Sequence, residues 1–209
     1  MRRVTGSVDL PLTRRGETQA RVLGLRSREH KLMVFAAPNT RSMETARRVT
    51  SKPHTAPWLK PWAMGEHEGK DLASERPKIN ERIVKRPDES PGVSPHSGIE
   101  GESFNQARKR IIGGVQRQQS AIGPKDKILN ISSGRVLHIV HAWAANGRPE
   151  DGSIDKHEIT QERGEFSKPG QLFHLEPGGL RPVRQVEKPG QYFAQHGETE
   201  WNSPAEGAK

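Results

Sequence analysis

The chain contains no cysteine. That excludes a disulfide scaffold, thiol catalysis and cysteine-ligated zinc, and it fits a reducing compartment. Aromatic residues are scarce. One Tyr and five Phe in 209 residues leave little with which to build stacking platforms for nucleic acid. Apolar runs reach only a few residues, so no membrane span is expected. Met1 is followed by Arg2 and Arg3 but by no apolar stretch, which speaks against a secretory signal; the expected localisation is cytoplasmic. The hydrophobic fraction is 31 %. With glycine added it is about 41 %, a little under the usual range for globular domains, so a core surrounded by much surface loop is expected. The length suits one ordinary domain, 1–209.

Positive charge is in excess. There are 34 Lys and Arg against 25 Asp and Glu, a net charge of +9. The charge is scattered, densest at Arg14-Arg15, Arg47-Arg48 and Arg108-Lys109-Arg110. A basic balance suits nucleic acid or an anionic small molecule. Scattered charge with few aromatics favours the second, a phosphorylated small-molecule substrate. The oligomeric state stays open, a homodimer being compatible.

Apolar spacing and punctuation predict alternating elements. Thr13 is a plausible N-cap for a helix within 10–30, with Ala20, Leu23 and Leu25 apolar. Residues 31–37 (KLMVFAA) and 127–132 (KILNIS) read as buried strands. Helices are predicted over 40–49, 102–119 and 135–145. Residues 170–175 and 191–194 read as two further strands, and 147–170 as loop. Segment 51–100 holds seven of the sixteen prolines and three of the nine histidines. It reads as a cap- or insertion-like excursion with one helix near 78–86. Strands alternating with helices predict an α/β three-layer sandwich with a mostly parallel central sheet.

The tightest cluster of reactive side chains is Gln195-His196-Gly197-Glu198-Thr199-Glu200-Trp201-Asn202, at the carboxyl end of the last predicted strand, where α/β sheets bind ligands. QHGETEWN closely resembles the RHGETxWN signature of the histidine phosphatase superfamily, which includes cofactor-dependent phosphoglycerate mutase. Other segments are similar to the family's remaining motifs. Gly6-Ser7-Val8-Asp9-Leu10-Pro11-Leu12-Thr13 with Gly16 and Gln19-Ala20 resembles G-x-x-D-x-P-L-T-x-x-G-x-x-Q-A. Ala37-Pro38-Asn39-Thr40-Arg41 with Thr45-Ala46 resembles S-P-L-x-R-x-x-x-T-A. Gly65-Glu66-His67-Glu68-Gly69 resembles G-x-W-E-G, and Gly101-Glu102-Ser103-Phe104 resembles G-E-S-F. Ile131-Ser132-Ser133-Gly134 stands in the place of V-S-H-G. The family begins with the HGET motif and this chain ends with it, so the chain resembles a circularly permuted, phosphoglycerate mutase-like member. The family's original ends would then be joined through about residues 184–190.

The resemblance implies a phosphomonoester phosphatase working through phosphohistidine, with no metal or organic cofactor. His196 matches the nucleophile. A neutral ring nitrogen must face phosphorus, so the other nitrogen should donate to a fixed acceptor. Arg41 matches the arginine that clamps the phosphoryl group, a task suited to a fork of donors. Gly197 permits close backbone approach, and Asn202 matches an asparagine near the phosphate. Gly134 opens a helix whose N–H groups favour anions. Three departures stand out. Gln195 replaces an arginine, Ser133 replaces a second histidine, and Pro61 stands where many members carry an acidic proton donor. Gln195 and Ser133 can donate but carry no charge, which predicts weakened activity. Glu102 is the remaining candidate acid. His138 and His141, one and two turns into the following helix, read as packed or solvated residues. His54, His67 and His96 lack the spacing of a helical zinc motif. The alternative readings are a catalytically weak phospho-ligand-binding module of the same fold, mutase activity, and nucleic-acid binding.

Overall fold

The computed structural model describes residues 2–27, 32–160, 168–197 and 199. Asn202 and Glu198 lie outside the described residues. Helix α1 (Arg14–Arg26) starts where the Thr13 side chain accepts from the Gly16 amide, the predicted cap. Strand β1 (Leu32–Ala36) leads into α2 (Thr40–Val49). The two-residue strand β2 (His54–Thr55) and two single-turn 3-10 helices follow. Helix α3 (Leu72–Lys85) begins six residues before the expected start. Asp71 caps the Ser74 amide, and Pro77 is carried inside the helix rather than preceding it. Helix α4 (Phe104–Ala121) opens with a capping box, Ser103 and Gln106 each closing on the other's amide. Strand β3 (Lys127–Ser132) and α5 (Gly134–Ala145) fall as expected. The stretch read as loop carries a short helix, α6 (Lys156–Thr160). Strand β4 (Leu172–Glu176) then turns into β5 (Gly179–Val183), and β6 (Gly190–Gln195) follows.

The described residues form a six-stranded sheet in the order β2-β1-β3-β6-β4-β5. The first four strands are parallel, and the β4–β5 hairpin is antiparallel. Register distributes the side chains to two sides. The cross-strand rows Val34–Leu129–Tyr192 and Ala36–Ile131–Ala194 pack with Leu23 of α1 and Ala46 of α2. Phe193 and its partner Phe173 join the larger cluster with Ile111 and Val115 of α4, Trp143 of α5 and Ile79 and Ile83 of α3. A sheet covered by helices on both faces is the expected three-layer α/β arrangement. The excursion 51–100 shares the larger of the two cores through α3.

The helical layer formed by α1 and α2 is held at a backbone-to-backbone approach. A Cβ on Gly24 of α1 would fall on the Arg48 carbonyl oxygen of α2. We expect Gly24→Ala to lower stability by about 1–3 kcal/mol, the cost of overpacking, read from the midpoint of urea unfolding. An unchanged or higher midpoint would refute the close approach, since alanine is the better helix former.

Candidate functional site: a buried histidine at the ends of three parallel strands

The carboxyl ends of β1, β3 and β6 lie side by side. The His196 amide donates to Ser132 O (2.9 Å) and the Ala37 amide to Ile131 O (3.0 Å). Each strand then delivers a functional segment. After β1, α2 carries Arg41. After β3 come Ser133, Gly134 and Arg135. After β6 comes His196.

His196 is 3 % exposed and Arg41 is 1 % exposed. The Arg41 Nε–H donates to His196 Nε2 at 3.1 Å. His196 Nδ1 lies 2.7 Å from Gly197 O. An arginine cannot accept a hydrogen bond and a carbonyl cannot donate one. The imidazole is therefore neutral, protonated on Nδ1, with the Nε2 lone pair directed at Arg41. Electrostatics agree. Burial, then the Arg41 charge, push the His196 pKa down to about 3. The fixed acceptor that a nucleophilic imidazole requires is thus the carbonyl of the next residue.

Arg41 uses the rest of its fork on backbone, donating through its terminal nitrogens to Val8 O (2.7 Å) and Gly6 O (3.2 Å). Burial lowers its pKa to about 10, opposed by Asp9 and Glu68. The loop it grips is held from two further sides. Asp9 accepts from the Thr40 amide (2.9 Å) and hydroxyl (2.8 Å), closing the N-terminus of α2. The fully buried Glu68 carboxylate accepts from the Ser7 amide (2.6 Å), the Ser7 hydroxyl (2.8 Å), the Met64 amide (3.0 Å) and the Ser97 hydroxyl (3.2 Å). Thr45 on α2 accepts from the Gly197 amide (3.1 Å). A Cβ on Gly197 would collide with Gly16 O, so two motif glycines meet where His196 is positioned.

A cavity of about 180 Å³ opens beside His196, lined among others by Pro61, Ser133, Gly134, Arg135 and Gln195, and by Arg2 and Arg3. Among the described residues no carboxylate lines it. This corrects the expectation for Glu102. Both of its oxygens are taken by Arg110, at 2.7 Å from Nε and 2.5 Å from a terminal nitrogen. Arg110 also donates to Trp58 O and Lys60 O, both at 2.8 Å. Glu102 therefore braces the 58–60 turn and does not line the cavity. His141 accepts from the Leu180 amide of β5 (3.0 Å) and is a packing residue, as expected. Among the described residues no group of three His, Asp or Glu is placed to hold a metal. Arg135 was not singled out by its motif. A lone arginine at a helix start resembles a solvated charge, and only its place in the cavity distinguishes it.

The family profile described as histidine phosphatase superfamily (branch 1) matches residues 1–162. The chain belongs to the histidine phosphatase superfamily. The match ends before β6, so His196 lies beyond the matched residues. Among solved structures, the chain is similar to TTHB049 from Thermus thermophilus (22 % identity, 88 % of this chain and 90 % of that one, TM-score 0.57). It is similar to phosphoglycerate mutase from the same organism (23 %, 88 % and 89 %, TM-score 0.54). It is also similar to a candidate alpha-ribazole-5′-P phosphatase from Escherichia coli (19 %, 90 % and 89 %, TM-score 0.59). At these identities the likeness is one of fold. No curated protein gives a significant match. Among the described residues no helix is long and apolar enough to cross a membrane.

The depressed His196 pKa makes a signed prediction. Unfolded, the imidazole titrates near 6.5 and folded near 3, so as pH falls the unfolded state takes up the proton first. Stability contributed by neutral His196 is complete above about pH 6.5 and is lost towards pH 3, by at most about 1.4 kcal/mol per pH unit. Thermal unfolding between pH 7 and 4 should steepen for the natural chain relative to His196→Gln. Nitrogen-15 NMR at pH 5 should show one neutral imidazole protonated on Nδ1; an imidazolium there would refute this geometry.

Proposed function

We propose that the chain is a phosphatase hydrolysing phosphomonoesters through a phosphohistidine at His196. The observation that carries this reading is the fixed tautomer: a buried, neutral imidazole whose Nε2 lone pair faces a cation and whose Nδ1–H is anchored on Gly197 O. Such a nitrogen needs no deprotonation before it attacks. Nε2 bonds to phosphorus as the ester P–O bond breaks, and the leaving oxygen takes a proton from solvent. Positive charge developing on the ring is drained towards the Gly197 carbonyl. Arg41 Nε–H, released from the lone pair, turns to an equatorial phosphoryl oxygen. Water then attacks phosphorus, the P–N bond breaks, and the Nε2 lone pair is restored. Gln195, Ser133, Gly134 and Gly197 surround the phosphoryl group, with Asn202 assigned to the same pocket. No metal takes part.

The order of motifs fits a circularly permuted member. Supporting this, the family match precedes β6, and β6 is built into the sheet between β3 and β4 rather than added at an edge. A binding module for phosphorylated ligands is the second reading, favoured by the lack of any carboxylate in the described cavity lining and by the neutral residues at 195 and 133. The lost charges predict slow turnover, since one missing oxyanion donor costs about 10²–10³ in rate.

Hydrolysis of an aryl phosphate in the presence of chelator, with denatured enzyme probed for an acid-labile phosphoryl group, tests the reading. His196→Ala should abolish both the hydrolysis and the trapped phosphoryl group; turnover that survives the substitution unchanged would refute it. Glu102→Gln should keep kcat/KM within about twofold while lowering stability by about 1 kcal/mol through its loosened pair with Arg110. A hundredfold loss of kcat at unchanged stability would instead return Glu102 to the chemistry.

A further inference from the structure

The cavity beside His196 contains a cation that nothing else in the described structure uses. Arg135, the second residue of α5, lines the cavity with Ser133, Gln195 and His196. Among the described residues its guanidinium takes part in no hydrogen bond or ion pair. Its charged neighbour is another cation, Arg76; burial first and that repulsion second lower its pKa to about 10. The side chain is half-buried and has no described counter-ion, an arrangement that disfavours its charged form until an anion arrives. A second unpaired donor lines the same cavity: the Ser133 hydroxyl is shielded from solvent, has no hydrogen-bond partner, and does not cap its helix. A cavity with an unpaired cation, an unpaired hydroxyl donor, an imidazole and no described carboxylate is complementary to an anion.

We propose that Arg135 and the Ser133 hydroxyl bind the phosphoryl oxygens in this cavity, so that Arg135 supplies the positive charge that the neutral side chains at positions 195 and 133 do not. The inference deepens the phosphoryl-transfer reading and rests on it for its catalytic consequence alone. The binding of a tetrahedral oxyanion follows from the cavity itself. Arg41 and Arg135 would then clasp the phosphoryl group from the two helices that follow β1 and β3, the two strands lying on one side of β6. A planar guanidinium offers two parallel N–H groups to two oxygens, so lysine should replace it only in part.

The test uses the full chain and inorganic phosphate as the probe. Titration calorimetry should show phosphate binding that weakens about tenfold or more in Arg135→Gln and less in Arg135→Lys. Stability should cross over. Without phosphate, Arg135→Gln should melt at or above the natural chain, because the repulsion with Arg76 is relieved. At high phosphate it should melt below, because the ligand stabilises only the chain that binds it. A role in packing alone would lower melting equally in both conditions and would overturn the proposal. So would equal phosphate affinity in the natural chain and Arg135→Gln, or no phosphate binding by the natural chain. Should phosphate binding depend on Arg135 while no phosphoryl ester is hydrolysed, the anion site stands and the phosphatase reading falls. Should His196→Ala abolish hydrolysis while Arg135→Gln leaves both kcat/KM and phosphate affinity unchanged, the reverse holds.

Discussion

The contact between Arg41 Nε and His196 Nε2 governs the rest of the site. Both side chains are withdrawn from water, and a cation against an imidazole is stable only if the imidazole is neutral and presents a lone pair. That condition forces the proton onto Nδ1, and Nδ1 needs a buried acceptor within reach. The Gly197 carbonyl meets it at 2.7 Å. The carbonyl can swing back onto the ring of the preceding residue only where the backbone after His196 is free to pass against α1, and Gly16 and Gly197 provide that passage. One contact thus dictates the tautomer, the backbone turn and two glycines.

The same contact demands that Arg41 itself be held. A guanidinium with about one hundredth of its surface exposed must fill its donors with protein acceptors, and the carbonyls of Gly6 and Val8 do so. Those carbonyls belong to a loop without regular structure, which would wander unless tied. Asp9 ties it to the start of α2, and Glu68 ties it at Ser7. Glu68 is reached from segment 51–100, which otherwise looks like an appendage. The excursion therefore acts on the site through three steps: Glu68 fixes Ser7, the loop carbonyls fix Arg41, and Arg41 fixes His196. The like signs of Arg41 and Arg135 explain why Glu68 and Asp9 matter electrostatically as well; they keep the Arg41 end charged while the Arg135 end stays without a counter-ion.

How much of this was legible follows from the range of each interaction. Local chemistry was readable. Thr13 caps α1, α2 and β3 fall on their expected bounds, and the parallel strands show as short apolar runs because both faces are covered. Helix α3 starts earlier than its apolar spacing suggested, because Asp71 caps it and Pro77 is carried inside it. Strand β5 was hidden by Arg181 and Pro182, which are tolerated there because it is a sheet edge. His196 and Arg41 were singled out by motif resemblance, and the structure brings the two together in a buried contact. Glu102 was misassigned because a motif fixes a position but not a direction; Arg110, two turns into α4, decides where the carboxylate points. Arg135 gave only the signal of a charge next to Gly134, since only the meeting of β3 and β6 reveals which side of α5 faces the cavity.

The placement of the site also shows what it does not depend on. His196, Arg41 and Arg135 each stand just after a different parallel strand, and the pairings Ala36 with Ile131, Ile131 with Ala194 and Ser132 with Gln195 bring those three strand ends level. Register is set by rows of side chains across the sheet, Val34–Leu129–Tyr192 and Ala36–Ile131–Ala194, which must face α1 and α2 together or lose the core on that side. None of these constraints refers to the order in which the strands occur along the chain. A strand that ends in such a histidine can come first or last and still be driven into the same slot between β3 and β4, because it is the burial of Tyr192, Phe193 and Ala194 that selects the slot. The candidate site is thus a property of the sheet's cross-section, and a cyclic change in chain order can leave such a site intact.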